Sequence, residues 1–506
     1  MTSAVPVTPN SRIPNIADQL LVHAQQRPSK TAIIFGTERI NYRQLNQMVD
    51  QRASVLVDMG VRSGDVLGIA LKDTPEHLVM LYAVVRSGAV ILPVDCRWLA
   101  VEKERVARHF GAKWVLVEPG ETFVGGVCIS ADEAWFKQVA AAPPLTNRPD
   151  GDRGFCLSLS SGTTGRPKGP MLTHAQFMSR FFTHYADLGF GSRETYLNAT
   201  PLYFGGGRAF SMSCLYVGAT VVLFAPPHTP QSLASEIART GVTITFLVPT
   251  LIRRLLQAAP EVTEPFSHLN TLIASGSPLT AEERILIRER ICPSFIEYYS
   301  STEGGGVTVL STDDQLAFGA SVGRPVFGVE VQVVDADNHP VAAGIVGPIR
   351  YRGPTVASGF FNDPDNSKDA FVGGWFYPGD LGELNSEGYL FLRGRVKDMI
   401  IRGGVNIYPL EIETVLLNHP RVAEAAVIGV PSREFDEEVC AFVRLRDQSG
   451  VADLMTYCKG QLAPYKVPKY VIAVNEFKLN SAGKILKAEL VQLFSATAGQ
   501  ISAHEH

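Results

Sequence analysis

Ser160-Ser161-Gly162-Thr163-Thr164-Gly165-Arg166-Pro167-Lys168-Gly169 lies between an apolar run, Phe155–Leu159, and a helix expected to begin near His174. A strand, a glycine-rich loop and a helix in that order are the unit from which layered α/β sheets are built. The clustered Gly, Ser and Thr offer backbone N–H groups and hydroxyls that can wrap a polyphosphate, and Lys168 adds a mobile positive charge. No Gly-Lys-Ser/Thr follows the first glycine at the Walker spacing, so this is a different phosphate loop. Its bland alternative is a flexible turn.

Upstream, Val66–Leu71 is a short apolar strand, followed by Thr74-Pro75 as N-cap and first helical residue and by a helix that closes before Gly88. Apolar runs return at Val90–Val94 and Trp114–Val117, with an amphipathic stretch, Ala100–Phe110, between them. Downstream come Thr220–Phe224, Thr243–Val248, Thr271–Ala274 and Phe295–Tyr299, each separated by helical or loop segments. From about Gly319 to Arg393 the texture changes to short alternating strands with Gly, Asp and Asn turns. After Arg395, helix Pro409–Asn418, strands Val422–Val430 and Val439–Leu445, helix Ala452–Gln461 and strand Tyr470–Val474 form a separate α+β unit. The fold class is therefore α/β. A large N-terminal domain, residues 1–395 with a small β subdomain at about 319–395, precedes a smaller C-terminal domain at 396–506. The last dozen residues are expected to fray.

The composition agrees. With 506 residues, 45% hydrophobic and 19% charged, the chain can bury a large core, and its net charge of −4 predicts no attraction to nucleic acid or anionic membrane. The uncharged run Ala209 to His228 contains Gly218 and ends in Pro226-Pro227. Its apolar part falls short of the about 20 residues a membrane span needs, so it reads as helix, turn and buried strand. Cys96, Cys128, Cys156, Cys214, Cys292, Cys440 and Cys458 show no metal or disulfide spacing. The N-terminus lacks the features of a secretory signal. A cytoplasmic protein with reduced thiols is expected.

Four further segments carry chemistry. Tyr298-Tyr299-Ser300-Ser301-Thr302-Glu303-Gly304 leaves an apolar strand and offers a hydroxyl for a phosphate and a carboxylate for magnesium. Asp380, in Tyr377-Pro378-Gly379-Asp380, can accept two ribose hydroxyls. Gly394-Arg395-Val396-Lys397-Asp398 and the following Arg402-Gly403-Gly404 span the junction with the C-terminal unit. Asn480-Ser481-Ala482-Gly483-Lys484 places one lysine in a loop near the C-terminus. Taken singly, each could be an ordinary turn.

Together and in this order, the five segments resemble the adenylate-forming superfamily of acyl-CoA synthetases, firefly-type luciferases and peptide-synthetase adenylation domains, over about Asp18 to Lys487. The resemblance implies that a carboxylate attacks the α-phosphate of ATP, giving acyl-AMP and pyrophosphate, and that coenzyme A then takes the acyl group. It further implies that Ser160, Ser161, Gly162, Thr163, Thr164, Gly165 and Lys168 cradle the β- and γ-phosphates. Thr302 would hold the α-phosphate, Glu303 would bind magnesium, and Asp380 would take the ribose, assisted by Arg395. Gly276, Ser277 and Pro278 with Tyr298, Tyr299 and Ser300 would enclose adenine, Tyr299 stacking on it. Lys484 would bridge carboxylate and α-phosphate. Lys397 would be the hinge on which the C-terminal domain swings, bringing Gly403 and Gly404 beside the pantetheine passage.

Tyr203, Phe204, Gly205, Gly206, Ser275 and Ser301 would line the acyl pocket. Gly205 follows Phe204 where amino-acid-activating relatives carry aspartate, which argues against an amino-acid substrate. The run Gly205-Gly206-Gly207 favours a bulky apolar tail or aromatic ring. Arg208 reads as solvated or phosphate-facing, with recognition of a second carboxylate as the alternative. Pro170 stands where relatives usually have valine, and Phe204 where many have histidine. The expected activity is a medium- or long-chain fatty or aromatic acid-CoA ligase acting on a small-molecule acid, with no stable membrane anchor and room for a homodimer. The alternatives are an acyl-AMP ligase loading a carrier protein, a luciferase-like oxygenase (disfavoured by the lack of a C-terminal Ser-Lys-Leu), and a non-catalytic nucleotide-binding scaffold, which the set Glu303, Asp380, Arg395 and Lys484 opposes.

Overall fold

The structure, a computed structural model, describes residues 13–123, 125–159, 168–277, 279–432, 434–447, 450–479 and 485–501, with side chains as far as Ala496. Two large sheets dominate the N-terminal part. One has nine strands in the spatial order Arg324–Pro325, Gly305–Leu310, Phe295–Ser301, Thr271–Ala274, Ile244–Leu247, Thr195–Asn198, Thr220–Leu223, Thr31–Phe35, Glu38–Asn41. It is parallel from Phe295–Ser301 to Thr31–Phe35 and antiparallel at its edges. The second has six strands in the order Val127–Ser130, Ala112–Val117, Val66–Ala70, Val90–Pro93, Gly154–Leu157, Met171–Thr173.

Strands such as Thr220–Leu223 and Val90–Pro93 are buried at every residue, because parallel strands are covered on both faces and so read as continuous apolar runs. The helix Pro75–Arg86 is buried almost throughout. Thr74 takes the N-cap position without a side-chain cap bond, and proline at the first turn sets the start instead. Gly88, at φ +81°, leads the chain from this helix into the next strand. The run Ala209 to His228 forms the end of helix Gly205–Val217, the left-handed Gly218 and the strand Thr220–Leu223. Among the described residues, no helix is long and apolar enough to cross a membrane. All seven thiols are free.

The small antiparallel sheet comprises Glu330–Val333, Gly347–Arg352, Phe371–Val372, Trp375–Phe376, Asp380–Leu384 and Leu390–Arg395. Arg324–Pro325, inside the stretch expected to belong to it, instead extends the nine-stranded sheet. Val331, Val333, Ile349, Tyr351, Phe376 and Leu390 join the same core as the large sheets. Beyond Arg395 the chain builds a five-stranded sheet, Val405–Ile407, Ile400–Arg402, Asp436–Leu445, Val422–Ser432 and Tyr470–Ala473, with cores of its own. Of the last dozen residues, expected to fray, 495–501 continue the helix Lys487–Ile501, and 502–506 lie outside the described residues. Leu490 and Phe494 anchor that helix in the core formed with Phe442 and Phe477, and the rings of Phe494 and Tyr470 lie 5.3 Å apart.

Candidate active site

Candidate residues gather where parallel strands end, the place where open α/β sheets put ligand loops. Strand Phe295–Ser301 turns through Thr302, Glu303 and Gly304 into its antiparallel partner Gly305–Leu310, with Ser301 opposite Gly305. Ser301 Oγ accepts the Gly304 N–H at 2.8 Å and lies 2.5 Å from the Tyr351 hydroxyl. The Ser301 side chain thus ties the turn to the small sheet, an engagement its expected place in the acyl pocket did not foresee. The glycines answer to crowding: a Cβ on Gly304 would overlap the Tyr351 ring, one on Gly305 the Arg180 side chain, and one on Gly306 the Tyr298 hydroxyl.

Glu303 makes no ion pair among the described residues, and burial pushes its carboxyl above the usual range, against the pull of Arg180 and Arg395. Those described residues contain no cluster of three or more potential ligands. Magnesium is usually held by one or two carboxylates plus substrate phosphates and water. A single half-buried carboxylate fits a cation that arrives with a nucleotide.

The small sheet presents Asp380 directly to this strand end. Its Oδ2 accepts the Tyr299 hydroxyl at 2.5 Å, and its Oδ1 accepts Arg395 Nε at 2.7 Å. Arg395 also donates to the Pro378 carbonyl. Burial and the adjacent carboxylate raise the Tyr299 phenol far above its ordinary pKa, so it stays a donor. A carboxylate has about four lone-pair directions, which leaves two on Asp380 for a ligand. Tyr299, read from the sequence as a stacking ring, is therefore also the second support of Asp380.

Ser275 Oγ and Ser300 Oγ, at the ends of adjacent parallel strands, lie 3.2 Å apart. They bring the exposed Gly276–Ser277 turn beside Tyr298–Ser300; Pro278 lies outside the described residues. Tyr298 is buried and its ring packs near Phe210 and His184.

At the end of Thr195–Asn198, the Leu202 N–H donates to buried Asp73 at 2.7 Å. Arg97 stands over the Tyr203 ring, which packs on Phe204. Of the three glycines that follow, only Gly205 faces space in which a Cβ would meet nothing within 4 Å. Gly206 abuts the Phe246 ring, and Gly207 presses on the Thr200 and Pro201 carbonyls. Arg208 is not solvated: it is 1% exposed, and its guanidinium donates to the Leu202 and Tyr203 carbonyls at 3.2 Å. It braces the Tyr203 segment from within.

Ser160–Pro167 lie outside the described residues, as does Lys484. Lys168 Nζ donates to Asn366 Oδ1 at 2.5 Å, and Asn366 in turn donates to Asp363. Gly169 and Pro170 are stitched to the same segment by the Phe361 N–H and a bridge to Phe360. Lys397 is exposed in the short turn Val396–Asp398, between the small sheet and the C-terminal sheet. Gly403 and Gly404, at φ +55° and +80°, are the two-residue turn of the hairpin Ile400–Arg402/Val405–Ile407. Such turns demand left-handed residues.

Sequence reasoning missed Arg180, Tyr351 and Asp73. Arg180 left one trace: it falls on the buried face of helix His174–Leu188 with Phe177, Phe181, His184 and Leu188. A cation on an apolar stripe must have partners.

The chain is similar to known proteins over more than nine-tenths of its length. Residues 20–361 match the AMP-binding enzyme family, and residues 411–484 match the AMP-binding enzyme C-terminal domain. The chain is 32% identical to feruloyl-CoA synthase of Amycolatopsis sp over 93% of its own length and 97% of the relative's. It is 30% identical to the long-chain-fatty-acid–CoA ligase FadD13 of Mycobacterium tuberculosis over 91% and 94%. The solved structure of O-succinylbenzoate coenzyme A synthetase (MenE) from Bacillus subtilis with ATP and magnesium superposes with a TM-score of 0.85 at 27% identity, covering 94% of this chain and 99% of that one.

Proposed function

We propose, for a chain that belongs to the AMP-binding enzyme family, that its substrate is a bulky apolar or aromatic carboxylic acid. The reaction is that of an acyl-CoA synthetase. ATP activates the acid as acyl-AMP with release of pyrophosphate, and coenzyme A then accepts the acyl group. Magnesium accompanies ATP and neutralises phosphate charge.

In this reading Asp380 accepts the ribose hydroxyls while Tyr299 and Arg395 hold it still. Thr302 donates to the α-phosphate, and Glu303 would hold the cation. Ser160–Gly165 and Lys168 cradle the outer phosphates. Gly276–Pro278 and Tyr298–Ser300 enclose the base, and Lys484 meets the charge that grows on the α-phosphate. Residues 396–506 are the moving part, pivoting at Lys397. The observation that carries the reading is the Tyr299–Asp380–Arg395 chain set beside the Thr302–Glu303 turn, because it unites a ribose acceptor with a phosphate and cation site. The acid's size is inferred from Gly205, next in the chain to Phe204, where a Cβ would meet nothing within 4 Å.

A pyrophosphate-release assay across carboxylic acids, with and without coenzyme A, tests it. Cinnamate-like or medium- to long-chain acids are expected to turn over fastest and to yield thioester. Acetate as the best substrate would refute the bulky-acid reading, and thioester only on a phosphopantetheinylated carrier would make the chain a carrier-loading ligase.

The glycine pair admits a cleaner test than a bulky replacement. Leucine at φ +80° would strain the hairpin itself. Asparagine tolerates left-handed backbone, and a Cβ at Gly404 meets nothing within 4 Å here. Gly404→Asn is expected to leave acyl-adenylate formation within about twofold and to slow thioester formation by about tenfold or more, because only backbone should line the pantetheine passage. Unchanged thioester formation would reduce the loop to a hairpin turn.

A further inference from the structure

Arg180 is 6% exposed, in the middle of the apolar face of helix His174–Leu188. Five N–H donors in that setting need acceptors, and a buried cation left without them is strongly destabilising. No carboxylate pairs with it among the described residues. Its acceptors are three backbone carbonyls. Nε donates to Thr355 at 3.0 Å, Nη2 to Glu303 at 2.8 Å, and both terminal nitrogens reach Thr302 at 3.3 Å.

Those carbonyls belong to the two residues of the phosphate and cation turn and to the segment that backs it. The Glu303 carbonyl also accepts the Ala357 N–H at 2.9 Å. One turn earlier on the same helix, Gln176 donates to the Val356 carbonyl. Gly305 is part of the same fit, since a Cβ there would stand 2.9 Å from Arg180 Nε. Burial lowers the guanidinium pKa to about 10, so it remains charged at neutral pH.

We propose that Arg180 is a positioning residue for adenylation: it clamps the Thr302 and Glu303 peptides from behind and so fixes the hydroxyl and carboxylate that meet magnesium-bound ATP. With both carbonyls committed to one planar fork, neither peptide of the turn can rotate. Lysine keeps the charge but gathers its donors at one point and cannot span three carbonyls as the fork does. A displacement of order 1 Å at such a site can cost about 10²-fold in rate.

The inference rests on the reading that Thr302 and Glu303 serve the ATP phosphates and their cation, and the test separates the two. Arg180→Lys, Arg180→Gln and Glu303→Gln are titrated calorimetrically with adenosine and with magnesium–ATP, and acyl-adenylate formation is followed against free magnesium. Both Arg180 variants are expected to bind adenosine like the parent, because Asp380, Arg395 and Tyr299 are untouched. Their magnesium–ATP affinity is expected to fall about tenfold or more, with a raised magnesium requirement, and lysine should retain more than glutamine. Parental magnesium–ATP affinity in both, with Glu303→Gln impaired, would overturn the clamp. An equal loss of adenosine binding would also overturn it, showing general disruption. A Glu303→Gln enzyme that binds and uses magnesium–ATP normally would remove the reading beneath it.

Discussion

Lys484→Ala is expected to lower acyl-adenylate formation from ATP and acid by about 10²–10³-fold, the usual loss when one donor that stabilises developing charge is removed. The same variant, given ready-made acyl-adenylate and coenzyme A, is expected to form thioester at close to the parental rate. Its fold should not suffer. The described residues that flank the loop, Leu479 and Ile485, pair across its base, and Leu486 donates to the Lys478 carbonyl. Phe477 and Ile485 pack in the C-terminal core. The arms of the loop are therefore anchored without the lysine. A compact point charge on a flexible stem suits the role, and no neutral side chain replaces it. Single-turnover measurement of both half-reactions decides the matter: equal losses would sink the rotation of the C-terminal part, and no loss would take Lys484 out of the active site.

Replacing Asp380 has the second-largest expected effect, and the structure dictates which replacement is informative. Alanine would strand the half-buried Tyr299 hydroxyl and free Arg395, mixing disorder with lost ligand contacts. Asparagine keeps the shape and one oxygen while removing the charge. Charge-assisted hydrogen bonds contribute about 1.5–3 kcal/mol each, and 1.4 kcal/mol corresponds to tenfold. Asp380→Asn is therefore expected to raise the ATP concentration for half-maximal adenylation by about tenfold or more, with an unchanged melting profile. The acid requirement and thioester formation from supplied adenylate should move far less. Parental ATP kinetics would leave Asp380 as a strut between Tyr299 and Arg395.

The layered α/β plan was legible because buried parallel strands are short apolar runs, and Thr220–Leu223, Thr271–Ala274 and Phe295–Ser301 appear within a residue or two of where that pattern puts them. The helix Ala452–Gln461 needed no revision. Ends were harder. The C-terminal helix Lys487–Ile501 gains its order from Leu490 and Phe494 packing on residues distant in sequence, which no local rule registers.

Local sequence, then, determined the α/β class, the order of the five loops and the identity of their chemical groups, since hydrophobic period and turn residues act over a few positions. Tertiary structure alone decided how those groups are held. Tyr299 and Asp380 meet across 81 residues, and Arg180 reaches the Glu303 carbonyl across 123. It also decided which glycines mean space and which mean crowding: Gly205 opens, Gly207 and Gly306 are pressed by neighbours, and Gly403–Gly404 turn a hairpin. The physical reason is the same throughout. A buried polar group must find its partner wherever the folded chain brings one, and the sequence states the need without naming the partner.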